Sequence, residues 1–268
     1  FAGLDVVALY GSYTLLLNAV TRLLDKVYDA ITASVGNLGV LESGERQYEV
    51  FEESHFVTAF MYTVAAVTLA CSLNPLVAVW LGEQYCFPMT TTLLLVAWFF
   101  VKGMRSAVLA FTSAYGLYWN SWYKAVVETV VLLALSFSLV QVWGVDGVVL
   151  SGVVSLLFVA TVMEAYVVFK YGFKRGAGSY VLKTIAYYAS AIAIGGACLF
   201  ACSIIPFGGV VGFAAKAVAS ASLSSALFVA LYFKTHEFSQ FRILCRKVVG
   251  FLLRLLHRGE RRSGESME

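Results

Sequence analysis

Long apolar runs separated by short polar connectors dominate the chain. They fall at about 7–36, 56–80, 88–112, 122–143, 146–169, 181–205 and 209–233. Each reaches the roughly 20 residues that a helix needs to cross ~30 Å of hydrocarbon. The runs are continuous rather than alternating, which argues against a β-barrel. The pattern predicts an all-α, polytopic transmembrane helical bundle of seven spans. Five spans occupy 1–170, two more occupy 171–234, and a tail follows at 235–268.

The tail has a pattern of its own. Phe238, Phe241, Leu244, Cys245, Val248, Val249, Leu252, Leu253 and Leu256 recur every three or four residues or adjoin one another, and basic residues fill the other face. This predicts a basic amphipathic helix lying on the inner leaflet, with membrane lipid as its partner.

Composition agrees with the runs. Of 268 residues, 60% are hydrophobic and 13% charged, with a mean hydropathy of +0.81. Soluble domains carry about 25% charged residues, and a soluble core of this length has no room for so much apolar surface. The positive charges also fix an expected orientation. Connectors near 81–87, 144–145 and 206–208 hold no Lys or Arg, whereas Arg46, Lys124, Lys170, Lys174, Arg175, Lys183 and the tail all fall on the other side. That side is expected to be cytoplasmic, with the C-terminus there and the chain in the cell's inner (plasma) membrane. Residue 1 is Phe and already stands near a helical pattern, without the basic segment that opens a signal peptide. The expectation is a chain whose upstream part is missing.

Catalytic and metal chemistry find no foothold in the residues. There is no nucleophile elbow, phosphate loop, HExxH or CxxC. His55, His236 and His257 are expected at membrane edges or in the tail. Cys198 and Cys202, four apart in an apolar run, read as small core residues. The reading is therefore no enzyme, no cofactor, no metal and no nucleic-acid partner, since the apolar face of the tail argues for membrane.

Polar residues at depth carry the functional signal, because an ionised side chain near the bilayer centre costs about 2.5–3.5 kcal/mol even on lenient insertion scales. Thr14, Asn18, Arg22, Asp25 and Asp29 follow spacings of four, four, three and four, one stripe of a helix, and Lys26 flanks it. Such a stripe suits a helix that lines a cavity; intrahelical pairing of Arg22 with Asp25 or Lys26 with Asp29 is the plainer alternative. A second group comprises Lys102, Arg105, Glu128 and Glu164. Arg105 with Glu128 or Glu164 is a candidate structural ion pair between helices, while Lys102 sits deeper. Asn74-Pro75 and Pro88 read as helix-shaping residues, and Gly147 and Gly152 as points of close helix contact.

The stretch Tyr10-Gly11-Ser12-Tyr13-Thr14-Leu15-Leu16-Leu17-Asn18-Ala19-Val20, followed by Asp29-Ala30-Ile31-Thr32-Ala33-Ser34-Val35-Gly36-Asn37-Leu38, resembles the polysaccharide flippases (O-antigen or capsule type). These form the polysaccharide-transport branch of the multidrug/oligosaccharidyl-lipid/polysaccharide exporter superfamily. Further short matches keep the family's order: Asn74-Pro75-Leu76, Trp80-Leu81-Gly82, Met104-Arg105, Ala114-Tyr115-Gly116-Leu117, Trp122-Tyr123-Lys124 with Glu128, Gly144-Val145-Asp146-Gly147-Val148, and Tyr171-Gly172-Phe173-Lys174. The resemblance covers roughly 4–180. It departs at Ser121, where the family often has an Asp-Arg pair before Tyr-Lys, and at Ser151-Gly152, where a Gly-Thr pair is common.

The resemblance implies a fourteen-helix fold of two six-helix lobes plus two extra helices, of which this chain would be most of the second lobe and the extra pair. It implies alternating-access movement of a polyprenyl-diphosphate-linked oligosaccharide to the outer leaflet for surface polysaccharide biosynthesis. Asn18, Arg22, Lys26 and Lys102 are then the candidates for holding the diphosphate, and Asp25 and Asp29 for coupling to an ion. Polysaccharide polymerase or other assembly proteins are the expected protein partners. The alternatives are a lipid II flippase or drug/cation antiporter of the same superfamily, a non-transporting membrane subunit of a glycan-assembly complex, and a membrane-bound glycosyltransferase. The cationic stripe favours an anionic substrate over a drug cation, a scaffold needs no charge at depth, and the acidic cluster expected of a transferase is not evident.

Overall fold

A computed structural model describes residues 4–41, 44–205, 208–239 and 241–242. Within them the chain is all-α, with helices α1 (Leu4–Leu41), α2 (Gly44–Trp80), α3 (Met89–Met104), α4 (Ser106–Ala114), α5 (Trp122–Ser155), α6 (Thr161–Val167), α7 (Gly178–Ser203) and α8 (Gly209–Tyr232). Six helical stretches among the described residues are long and apolar enough to cross a membrane. This is the architecture of a multi-pass membrane protein.

Helix α2 occupies the centre because, beyond its polar first turns, it is apolar on every side. Phe56, Tyr62, Leu69, Leu73 and Val77 are buried, and Ala59, Ala66, Ala70 and Cys71 let neighbours approach closely. Helices α1, α3, α7 and α8 pack around it, and Cys198, Cys202 and Phe228 join the same core. The outer faces carry large apolar side chains such as Leu15, Leu23, Phe137 and Ile192, as expected where hydrocarbon is the solvent.

The fourth stretch, Leu117–Phe173, is 57 residues long and folds back on itself at Gly144. With φ 54° and ψ −127°, Gly144 adopts a backbone conformation open to glycine. The two arms then run antiparallel. Ser136 and Ser151 share a 2.6 Å hydrogen bond and Ser155 Oγ donates to Glu128 O at 3.2 Å. A side chain at Gly147 would strike the Leu139 backbone, so glycine there permits the close turn. The returning arm contains two π-helical turns, Leu156–Ala160 and Val168–Phe173, on either side of α6.

Boundaries move where the packing differs from the apolar pattern. Helix α2 begins at Gly44 rather than at 56, because its polar first turns lean on the ends of other helices: Gln47 accepts from Tyr115, and Glu52 pairs with Lys183. The expected span 88–112 is broken at Arg105 between α3 and α4. The basic connectors gather at one end of the bundle, where Arg175 meets Glu45 at 3.3 Å and Lys183 reaches both Glu52 and Glu237 at 2.7 Å. The start of the tail folds back on α2: the Phe241 ring lies 5.8 Å from Phe56 and 5.3 Å from Phe60, with Phe238 alongside. The amphipathic helix expected beyond 242 lies outside the described residues.

Candidate functional site

One hydrogen bond and one longer-range electrostatic interaction relate α1 to α2. Tyr13 Oη donates to Asn74 Oδ1 at 2.7 Å, and Asp25 acts electrostatically on Tyr62. Twelve residues separate the two on each helix, so the helices run antiparallel, and Asn18, Arg22, Asp25 and Lys26 fall in the later part of the candidate span Val6–Lys26.

Asn18, Arg22, Asp25 and Lys26 are all exposed, on the face of α1 turned away from Tyr13 and Leu17, which are buried. Thr14 is partly covered and turns its hydroxyl onto its own helix, donating to Tyr10 O at 2.9 Å. The side chain of Asp29 lies outside the described ones. The stripe is thus a polar face, on a helix long and apolar enough to cross a membrane, that the described bundle leaves exposed. Lys102 is exposed as well, and its ammonium lies over the Trp98 ring at 4.9 Å, one turn back on α3.

The second group closes into a network. Arg105, held at the break between α3 and α4, donates from Nε to Glu164 Oε2 at 2.8 Å and from Nη2 to Oε1 at 2.5 Å. Lys124 Nζ donates to the same Oε1 and lies 3.7 Å from Glu128. Arg105 and Glu164 are 7% and 3% exposed. The two π-helical turns bracket Glu164, and Thr161 Oγ1 accommodates the first by donating to Leu156 O at 2.8 Å. This fork-to-carboxylate pairing ties α3, α5 and α6 together, and Glu164 rather than Glu128 is the partner that Arg105 finds.

The sequence reading passed over two polar centres. Asn74 is more than a helix-shaping residue. Its Oδ1 also accepts from Thr92 at 2.8 Å, its Nδ2 donates to Phe87 O at 3.1 Å, and Tyr13 Oη accepts the Phe87 N–H at 3.0 Å. His55, expected at a membrane edge or in the tail, is enclosed between α2 and α7, stacked on Phe51 and near Tyr180 and Tyr187. Its Nε2 lies 3.1 Å from Thr184 Oγ1. Thr184 Oγ1 also lies 2.7 Å from Tyr180 O. The burial follows from the aromatic residues that α7 places opposite α2, a tertiary effect that one helix's pattern does not show. No group of three His, Cys, Asp or Glu among the described residues is disposed to hold a metal ion. Comparison with protein-family models, with curated proteins and with solved structures finds no match.

Proposed function

We propose that this chain is the C-terminal portion of a polysaccharide flippase, and that α1 forms one wall of a hydrated passage for a polyprenyl-diphosphate-linked oligosaccharide. The observation that supports the reading is the exposed stripe Asn18, Arg22, Asp25 and Lys26 on a helix long and apolar enough to cross a membrane. Ionised side chains in that position face water or a polar partner rather than acyl chains. Arg22 supplies a fork of donors suited to phosphate oxygens, Lys26 adds a second cation, and Asp25 is placed to bind the coupling proton or cation. In the fourteen-helix arrangement a first lobe stands opposite this face, and rocking of the lobes alternates access to it. The basic end of the bundle is cytoplasmic on this reading, and the substrate moves away from it.

Complementation tests the proposal. The full-length gene carrying Arg22→Ala is placed in a host lacking its own polysaccharide flippase, and surface glycan is scored at matched protein level. The expected result is glycan with the unaltered gene and little or none with the variant. Glycan at the unaltered level with Arg22→Ala removes the stripe from the mechanism. The Arg105–Glu164–Lys124 network is assigned no part in transport; its enclosure suits a clamp between helices.

A further inference from the structure

A groove of about 1010 Å³ runs down the outside of the bundle between the returning arm of the Gly144 fold and α7, floored by α2 and α3. This is at the upper end of the range for ligand pockets, roughly 300–1,000 Å³. On α7 the wall is the stripe Val181, Ile185, Tyr188, Ile192, Gly195 and Leu199. From Ala177 to Leu199 it extends ~33 Å along the helix axis, about the thickness of the hydrocarbon layer. Small residues make the depth: Ala66, Ala70 and Ala97 form part of the floor, and Gly196 has nothing within 4 Å of where a Cβ would stand. Helix α1 contributes no lining residue, so the groove is separate from the charged stripe.

At one end the groove becomes basic. A second depression, lined by Lys170, Lys174 and Arg175, shares Tyr166 and Ala177 with it, so the two adjoin. Lys174 is exposed and stands in the left-handed region at φ 54°, ending the π-helical turn. Lys170 donates to Tyr166 Oη at 2.5 Å, and Arg175 is drawn toward Glu45. Three cations against one exposed carboxylate leave this end positive. Just below it Tyr180 lines the groove, and Tyr188 lines it farther along; both hydroxyls are buried.

We propose that this groove is a binding site for an anionic diacyl phospholipid. The phosphate lies among Lys170, Lys174 and Arg175, and the acyl chains fill the apolar channel. Each element of such a lipid finds its complement in the right order along the groove. The proposal does not depend on the flippase reading and can fail without it.

The test is lipid retention by the purified full chain, read by native mass spectrometry in a neutral detergent during titration with dioleoyl phosphatidylglycerol. A one-to-one adduct is expected, with dioleoyl phosphatidylcholine at least about tenfold weaker. Replacing Lys170, Lys174 and Arg175 by Ala is expected to weaken phosphatidylglycerol by about fivefold for each charge removed. Lys170→Arg with Lys174→Arg keeps the charge and is expected to keep the adduct, which separates loss of charge from damage to the fold. Equal binding of the two dioleoyl lipids, or an undiminished adduct in the Ala variant, overturns the headgroup assignment. Equal binding of dihexanoyl phosphatidylglycerol overturns the role of the groove. Polyprenyl phosphate binding tighter than phosphatidylglycerol overturns the choice of a diacyl lipid.

Discussion

Tyr13 and Asn74, 61 residues apart, meet at 2.7 Å at the end of the bundle opposite its basic connectors, and their bond holds the stripe-bearing helix in register. The Tyr13 hydroxyl gives its proton to Asn74 Oδ1 and accepts the Phe87 N–H, while Thr92 supplies a second donor to Asn74. Tyr13→Phe removes the acceptor of a buried N–H and one of two donors to a carboxamide oxygen. A loss of about 1–3 kcal/mol is expected, seen as a lower melting temperature in detergent. Thr92→Val leaves the Phe87 N–H paired and is expected to cost less. Equal losses for the two variants contradict the arrangement.

Glu164 holds two cations in a setting nearly closed to solvent. Glu164→Ala leaves both Arg105 and Lys124 without that carboxylate, and breaking a buried pair from one side costs about 3–5 kcal/mol. The replacement of Arg105, Lys124 and Glu128 by Met and of Glu164 by Leu removes the charges together and is expected to melt much nearer the parent. If Glu164→Ala alone melts like the parent, the network contributes little to holding α3, α5 and α6.

At the basic end, Glu237 sets a pH dependence. Burial pushes its carboxyl up, but the hydrogen bond and charge of Lys183, with His236 nearby, outweigh this and hold it below the ordinary value of 4.5. Lys183 is shared with Glu52 on α2, so the pairing links α2, α7 and the segment after α8. A carboxyl depressed in the folded state stabilises it fully above its unfolded value, and the contribution disappears as pH falls through the folded value. The melting temperature is expected to fall as pH is lowered below about 4.5, and Glu237→Gln to flatten part of that fall. A variant whose profile superimposes on the parent's rules the contribution out.

These three sites differ in how far the sequence reveals them. The apolar runs were legible because a span must be both long and continuous, and the break near 144 was legible because polar and glycine residues interrupt two such runs. Arg105 and Glu164 stood out because charge in an apolar run demands a partner, although Glu128 was an equal candidate until the returning arm brought Glu164 to Arg105. Asn74 was hidden by its proline neighbour. Its partners come from Tyr13, Phe87 and Thr92 on other elements, and no local spacing encodes that convergence. His55 was hidden because the polar residues before it mark an edge, whereas the aromatic residues that enclose it belong to α7.

The stripe on α1 was legible as a spacing, but its exposure is a property of the packed bundle, and the two together give a sharp expectation. Leu23 is 72% exposed and adjoins Arg22, so the two side chains sample neighbouring surfaces at almost the same depth. If the stripe borders water, Arg22→Cys, made with the native cysteines replaced, reacts with a hydrophilic maleimide in intact membranes, whereas Leu23→Cys reacts far more slowly. The physical basis is that the thiolate is the reacting form and needs a hydrated, polar setting, while a thiol against acyl chains stays protonated. Neither change opens a cavity, since both side chains are exposed, so both variants are expected to fold. Equal slow labelling at the two positions places Arg22 in a dry contact and removes the hydrated passage. Equal fast labelling places both in water and moves the lipid boundary off this helix. A fast-to-slow contrast between adjacent residues is the outcome that the polar face requires.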